Sequence, residues 1–162
     1  MKPTLAWLGA ILTWASASAW AAGGVPPVSD LSRDAEAARA INGAILVVLT
    51  GQHCVYCERV LNNFLIPMSG NKDYQAKVVM RRMVVSDDSP IRGFDGKPNT
   101  PAKLAALYGY TLVPTVLLLD GKGRLLAKPV VGLTTEDYYG MYLDEAIDGA
   151  LAKIRGPARG SL

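Results

Sequence analysis

Apolar and polar positions along the chain follow two rhythms, and they divide it into strands and helices. Ala44-Ile45-Leu46-Val47-Val48-Leu49-Thr50 is a continuous apolar run with several β-branched residues, the pattern of a central strand buried on both faces. Upstream, Ser29 or Ser32 starts a helix that runs to Asn42: the serines and Asp30 can cap it, Ala37 and Ile41 share a face, and Gly43 closes it. After Cys57, the residues Val60, Leu61, Phe64 and Leu65 keep helical spacing until Pro67 ends or bends the helix. Asn71 to Ala76 reads as one further short helix.

Val78 to Val85 reads as a second strand, in which Arg81 and Arg82 interrupt the apolar run and mark a solvated end or a less central place in the sheet. Ser86 to Thr100 is turn-rich and is expected to be a long loop. Thr100-Pro101 then caps and opens a helix carrying Leu104, Leu107 and Tyr108, which ends at Gly109. Thr115 to Leu119 is a strand, Asp120-Gly121-Lys122-Gly123 a hairpin turn, and Arg124 to Val131 its partner, placed at the sheet edge because Pro129 cannot donate to a ladder. Thr134 or Thr135 caps a last helix with Leu143, Ile147, Leu151 and Ile154 on one face. Helix, strand, helix, strand, helix, hairpin and helix in that order predict an α/β fold with a mixed central sheet and helices on its faces.

The first residues follow a different rule. Met1-Lys2-Pro3-Thr4 is a short basic lead, Leu5 to Trp14 an apolar stretch, and Ala19-Trp20-Ala21 a small-residue cleavage site. This is the arrangement of a secretory signal peptide over residues 1–21. Residues 22–29, with Gly23-Gly24 and Pro26-Pro27, are expected to be a linker, 30–155 the domain, and 156–162 a flexible tail. No later apolar stretch has the length of a membrane span, so the mature protein is expected to be periplasmic and not membrane-spanning.

Composition narrows the picture further. A chain of 162 residues, half of them hydrophobic, suits one globular domain, expected to be a monomer. A net charge of +3, with both signs interspersed, argues against nucleic acid as a partner.

The only two cysteines, Cys54 and Cys57, and the only histidine, His53, lie together at the exit of the central run. A bridge between cysteines so close closes too small a loop to stabilise much, so the spacing suits reactivity rather than stapling. A cysteine at a helix N-terminus has its thiolate favoured by unpaired N–H groups and the helix dipole. That makes Cys54 the nucleophile and Cys57, one turn later, the resolving thiol. Attachment of c-type haem needs a histidine after the second cysteine, where this chain has Glu58, and structural zinc needs ligands it does not carry. A cuprous site on Cys54, Cys57 and His53 is the metal reading that survives, against the main expectation of no metal and no cofactor. Protonated His53 would favour the Cys54 thiolate; Glu58 is either a second tuning group or an ordinary first-turn acid. Tyr56, between the sulfurs, shapes access to them. Val113-Pro114-Thr115 is the second feature. A proline before a buried strand is a candidate for a cis peptide, although a trans proline is statistically the commoner case.

Taken together, the buried strand, Cys54-Val55-Tyr56-Cys57 at a helix start, and Val113-Pro114-Thr115 before a strand and glycine-containing hairpin resemble the thioredoxin superfamily. Gly93-Phe94-Asp95-Gly96, Tyr108-Gly109-Tyr110-Thr111-Leu112 and Asp120-Gly121-Lys122-Gly123 leading to Gly132 resemble in particular exported bacterial members, including those of sulfur-oxidation systems. The resemblance covers about Ala44 to Ile154. It implies a three-layer thioredoxin-like fold, a cis Pro114, and a substrate backbone pairing with Val113. It also implies a thiol:disulfide oxidoreductase acting on protein disulfides or thiols, re-reduced by a membrane electron donor. A disulfide-donating oxidase or isomerase of the same fold is the alternative within that class, and a copper chaperone or redox adaptor the alternative outside it. Two positions depart from the family: His53 stands where tryptophan is usual, and Val48 where a buried acid often assists the resolving thiol.

Overall fold

The computed structural model describes residues 24–110 and 112–156. The expected signal segment, Thr111 and the tail after Gly156 lie outside the described residues. The order of elements is α1 (Leu31–Ala40), β1 (Ala44–Thr50), α2 (Val55–Val60), a π-helical turn (Leu61–Leu65), α3 (Ile66–Gly70), α4 (Lys72–Gln75), β2 (Val78–Val84), β3 (Ile91–Arg92), β4 (Pro98–Asn99), α5 (Pro101–Tyr108), β5 (Thr115–Leu119), β6 (Val130–Val131) and α6 (Glu136–Arg155). Four strands form one sheet in the order β2-β1-β5-β6. β1 runs parallel to β2 and antiparallel to β5, which runs antiparallel to β6. This is the expected mixed sheet between two helical layers.

Alternation along β1 builds the layers. Leu46 and Val48 face α2, α3 and α6, joining Val60, Leu65, Tyr139, Leu143 and Ile147 in one core. Ile45, Val47 and Leu49 face α1 and α5, joining Leu31, Ala35, Leu104 and Leu117 in the other. Every residue of β1 is buried, and each large apolar side chain so placed contributes about 1.5–3 kcal/mol. The turn from α1 into β1 passes close to the backbone entering β2 and requires Gly43: a Cβ there would lie 2.4 Å from the Lys77 carbonyl oxygen.

The structure amends the sequence reading at several places. The N-cap of α1 is Asp30, whose carboxylate accepts from the Arg33 N–H, while Ser32 Oγ donates to Asp30. Pro67 neither ends nor sharply breaks the helical course begun at Val55. The π turn precedes it, with the Ile66 N–H donating to the Leu61 carbonyl, and the wider turn accommodates a residue that lacks an N–H. The stretch 86–100 is not all loop, because β3 and β4 pair antiparallel within it. Leu107 is 78% exposed, on the outer face of α5. The partner of β5 is interrupted: Leu119 bridges Leu125, Leu126 N–H reaches the Leu118 carbonyl, and only Val130–Val131 resumes the ladder, just past Pro129.

Arg81 is not a solvated strand end. Its guanidinium grips the buried carboxylate of Asp34, Nε to Oδ2 at 3.0 Å and Nη2 to Oδ1 at 2.5 Å, and Nη1 donates to the Met80 carbonyl. Burial pushes the Asp34 carboxyl above the usual range, and Arg81 pulls against it. Within the stretch expected to be a linker, Val25 and Val28 are buried, the Val28 N–H donates to the Arg82 carbonyl, and the Arg82 N–H donates to Pro26.

Candidate active site at the end of the central strand

β1 ends at Thr50, whose hydroxyl donates to the Met83 carbonyl, and the chain turns through Gly51, Gln52 and His53 before α2 begins. Cys54 is the N-cap of α2, in extended conformation, and its Sγ accepts the Cys57 N–H at 3.1 Å. The two cysteines are joined as a disulfide with their Cα atoms 5.2 Å apart. They differ in access: Cys57 is 1% exposed, whereas Cys54 is only partly covered. A reagent from solvent therefore meets Cys54 first.

The segment before β5 forms the other side. The Val113–Pro114 peptide is cis. Thr115 Oγ1 donates to the Leu112 carbonyl at 2.8 Å, and the Pro114 carbonyl accepts the Gly132 N–H at 2.7 Å, so both flanks of the proline are tied down. Val113 lies directly over the turn into α2: a Cβ built on Gly51 would be 3.2 Å from Val113 Cγ2 and 3.9 Å from Cys54 Cβ. Among the described residues neither the amide nor the carbonyl of Val113 has a backbone partner. Gly51, Thr115 and Gly132 thus assemble the site. Sequence reasoning did not assign them these roles, although a glycine between a buried strand and the dithiol was the available signal for the first.

His53 is exposed and sits at φ +52°, a left-handed conformation uncommon for a side chain of its size. Tyr56 is 58% exposed and Val55 65% exposed, leaving apolar surface next to Cys54 on α2, and Leu112, just before Val113, is 66% exposed. Glu58 is exposed in the first turn of α2. Val48, two residues before the end of β1 and in the same core as Val60 of α2, is fully buried in apolar company. Among the described residues no group of three or more His, Cys, Asp or Glu side chains is arranged to hold a metal ion.

A mixed sheet between helical layers, with a Cys-x-x-Cys pair at a helix start facing a cis-proline turn, defines the thioredoxin class. The chain belongs to the family described as thioredoxin-like domain, whose model matches residues 31–147. A search of curated proteins finds no match. Among solved structures it is similar to the thioredoxin of Malassezia sympodialis, at 18% identity over 80% of this chain and 93% of that one, with a TM-score of 0.50. It is also similar to a poplar thioredoxin h, at 14% identity over 73% of this chain and 95% of that one (TM-score 0.49). A third is the periplasmic thioredoxin SoxS of Paracoccus pantotrophus, at 20% identity over 66% of this chain and 98% of that one (TM-score 0.45).

Proposed function

We propose that this protein is a periplasmic thiol:disulfide oxidoreductase that reduces disulfides of partner proteins. The observation that carries the reading is the asymmetry of the dithiol, with Cys54 accessible at the helix cap and Cys57 buried one turn on. In the reduced form the Cys54 thiolate attacks one sulfur of a partner disulfide; a mixed disulfide forms and the partner's other sulfur leaves as a thiolate. The Cys57 thiolate then attacks Cys54 Sγ, which releases the partner's second thiolate and leaves the protein as the Cys54–Cys57 disulfide. An external dithiol, drawn from a membrane electron donor, returns two electrons and completes the cycle. Val113, without a backbone partner among the described residues, offers its amide and carbonyl to the partner's chain beside Cys54.

Thiolate formation draws on the N-terminal N–H groups of α2 and on His53 when that residue is protonated. Val48 supplies no acid beneath Cys57, so its proton leaves toward solvent or toward Glu58. Export rests on the basic and apolar pattern of residues 1–21. Among the described residues no helix is long and apolar enough to cross a membrane.

The test is trapping. Cys57→Ala incubated with periplasmic extract accumulates mixed disulfides through Cys54, and insulin reduction by the parent protein is lost in Cys54→Ser. Absence of adducts together with inactivity toward insulin overturns the reading, and tight cuprous binding in their place would support the chaperone alternative. His53→Ala reduces the Cys54 thiolate population at neutral pH, read from thiolate absorbance; an unchanged titration removes His53 from the mechanism. Cleavage after Ala21 takes away Trp7, Trp14 and Trp20, all the tryptophan of the chain, so the exported form has no indole fluorescence.

A further inference from the structure

One face of the dithiol helix carries a network that the exchange chemistry does not use. Tyr56, Arg59 and Asn63 recur at the spacing that stacks side chains along a helix, with Asn63 inside the π turn. The Arg59 guanidinium lies over the Tyr56 ring, 5.7 Å from its centroid. Its Nη1 is 3.8 Å from one carboxylate oxygen of Glu136, and Asn63 Nδ2 donates to the other at 2.8 Å. Glu136 is the first residue of α6, so a second element of the fold, anchored in the core by Tyr139 and Leu143, holds the far end of the chain of contacts. The side chains of Arg59 and Glu136 are about half exposed, at 53% and 45%. An ion pair of that length and exposure adds little to stability. What it fixes is where the guanidinium sits, and with it the ring between the two cysteines.

We infer that Arg59, braced by Glu136 and Asn63, is a positioning residue for Tyr56, and that the held ring is a recognition platform for the polypeptide chain of a partner protein. The inference rests on the reductase reading above and names the substrate class that benefits. A protein disulfide brings backbone and side chains past Tyr56 on the way to Cys54 and gains from a ring that is already ordered. A small disulfide reaches Cys54 without touching it. Cation–π contact to the face of the ring restricts its rotamers before the partner arrives, and preorganisation of one aromatic side chain is worth about three- to tenfold in kcat/KM.

The experiment compares insulin with the neutral bis(2-hydroxyethyl) disulfide, under reductant, for the parent protein, Arg59→Ala, Arg59→Lys, Glu136→Gln, Tyr56→Ala and the double variant Tyr56→Ala/Arg59→Ala. The expected result is that Arg59→Ala raises KM for insulin about three- to tenfold with kcat held, leaves the small disulfide within twofold, and adds nothing further once Tyr56 is alanine. Glu136→Gln gives a smaller loss of the same kind, and Arg59→Lys restores part of it. Unchanged insulin kinetics in Arg59→Ala overturn the inference. So does an equal loss on both substrates, which would locate the effect in the dithiol. So do losses that multiply in the double variant, which would make the two residues independent. A readout without substrate is also available: labelled Tyr56 ring resonances gain mobility in Arg59→Ala and Glu136→Gln, and an unchanged ring overturns the positioning role. A parent protein inactive on insulin whose Tyr56 ring loosens in both variants retains the clamp and loses the reductase reading, so the two failures are distinguishable.

Discussion

The two faces of the sheet solve the same packing problem with different materials. Toward α1 and α5, the core includes a buried carboxylate, Asp34, neutralised by Arg81 reaching across from β2. Toward α2 and α6, the inner surface is apolar along β1 as far as Val48, and its one unpaired buried side-chain polar atom among the described residues is the Tyr139 hydroxyl. Charge has been placed in the layer that does not carry the sulfurs. The difference teaches that, among the described residues, the layer that carries the sulfurs holds no buried charge, so on the reading proposed above the proton of Cys57 passes at the rim of the site.

The largest effect is expected on the dry face. Leu143 is fully buried, and Leu143→Ala should cost about 3–4 kcal/mol in denaturant unfolding; a cost below about 1 kcal/mol would mean that this layer is loosely packed. Asp34→Leu should follow at about 2–3 kcal/mol, less than for a fully buried pair because the Arg81 side chain retains 24% exposure and part of its hydration. Asp34→Leu/Arg81→Met should recover most of that loss and come within about 1 kcal/mol of the parent, with insulin kinetics unchanged. If exchange slows in that double variant, charge on the far face does serve the dithiol and the contrast fails. Tyr139→Phe should stabilise by about 0.5–1 kcal/mol by removing a buried unpaired hydroxyl, and a loss of stability would show that the hydroxyl is bonded in solution.

The smallest effect is a titration. Burial and the charge of Asp120 hold Tyr108 up to about 12, burial does the same for Tyr139, and a hydrogen bond to Asp144 does so for Tyr74. A phenol raised in the folded state contributes stability that is present below its unfolded value near 10 and is lost as pH rises through about 12. Phenolate absorbance of the folded protein should therefore show a late step to which Tyr74, Tyr108 and Tyr139 contribute, and Tyr139→Phe should remove one tyrosine from that step. An unchanged late step would place Tyr139 in a wetter environment than the rest of its face.

These contrasts were legible in the sequence only in part. β1 and β5 were readable to the residue because each is a continuous apolar run with a single threonine at one end, Thr50 or Thr115, and turn residues lie close by. The dithiol and Val113-Pro114-Thr115 were readable because reactive and backbone-restricted residues announce themselves by type. Arg81 was misread because its partner is 47 positions away on another element, and periodicity carries no information about that pairing. The π turn was invisible because Leu61 and Leu65 satisfy ordinary helical spacing equally well. The β3–β4 hairpin was missed because strands of two residues are too short to show alternation. Arg59 and Glu136 each look like routine surface charge until α6 is docked against α2.

The stretch before α1 has a consequence for how the folded protein meets its neighbours. Val25 inserts into the core shared with α2 and α6 and Val28 into the opposite core, while the backbone between them occupies the outer rim of β2 through Arg82. Those few residues clip both layers together and seal that flank of the sheet against recruitment of a second chain. The opposite flank ends in a two-residue strand just past a proline, too short to template much. On the reading proposed above, in which partner chains pair beside Val113, the same protein is thereby kept from offering its own sheet to them indiscriminately.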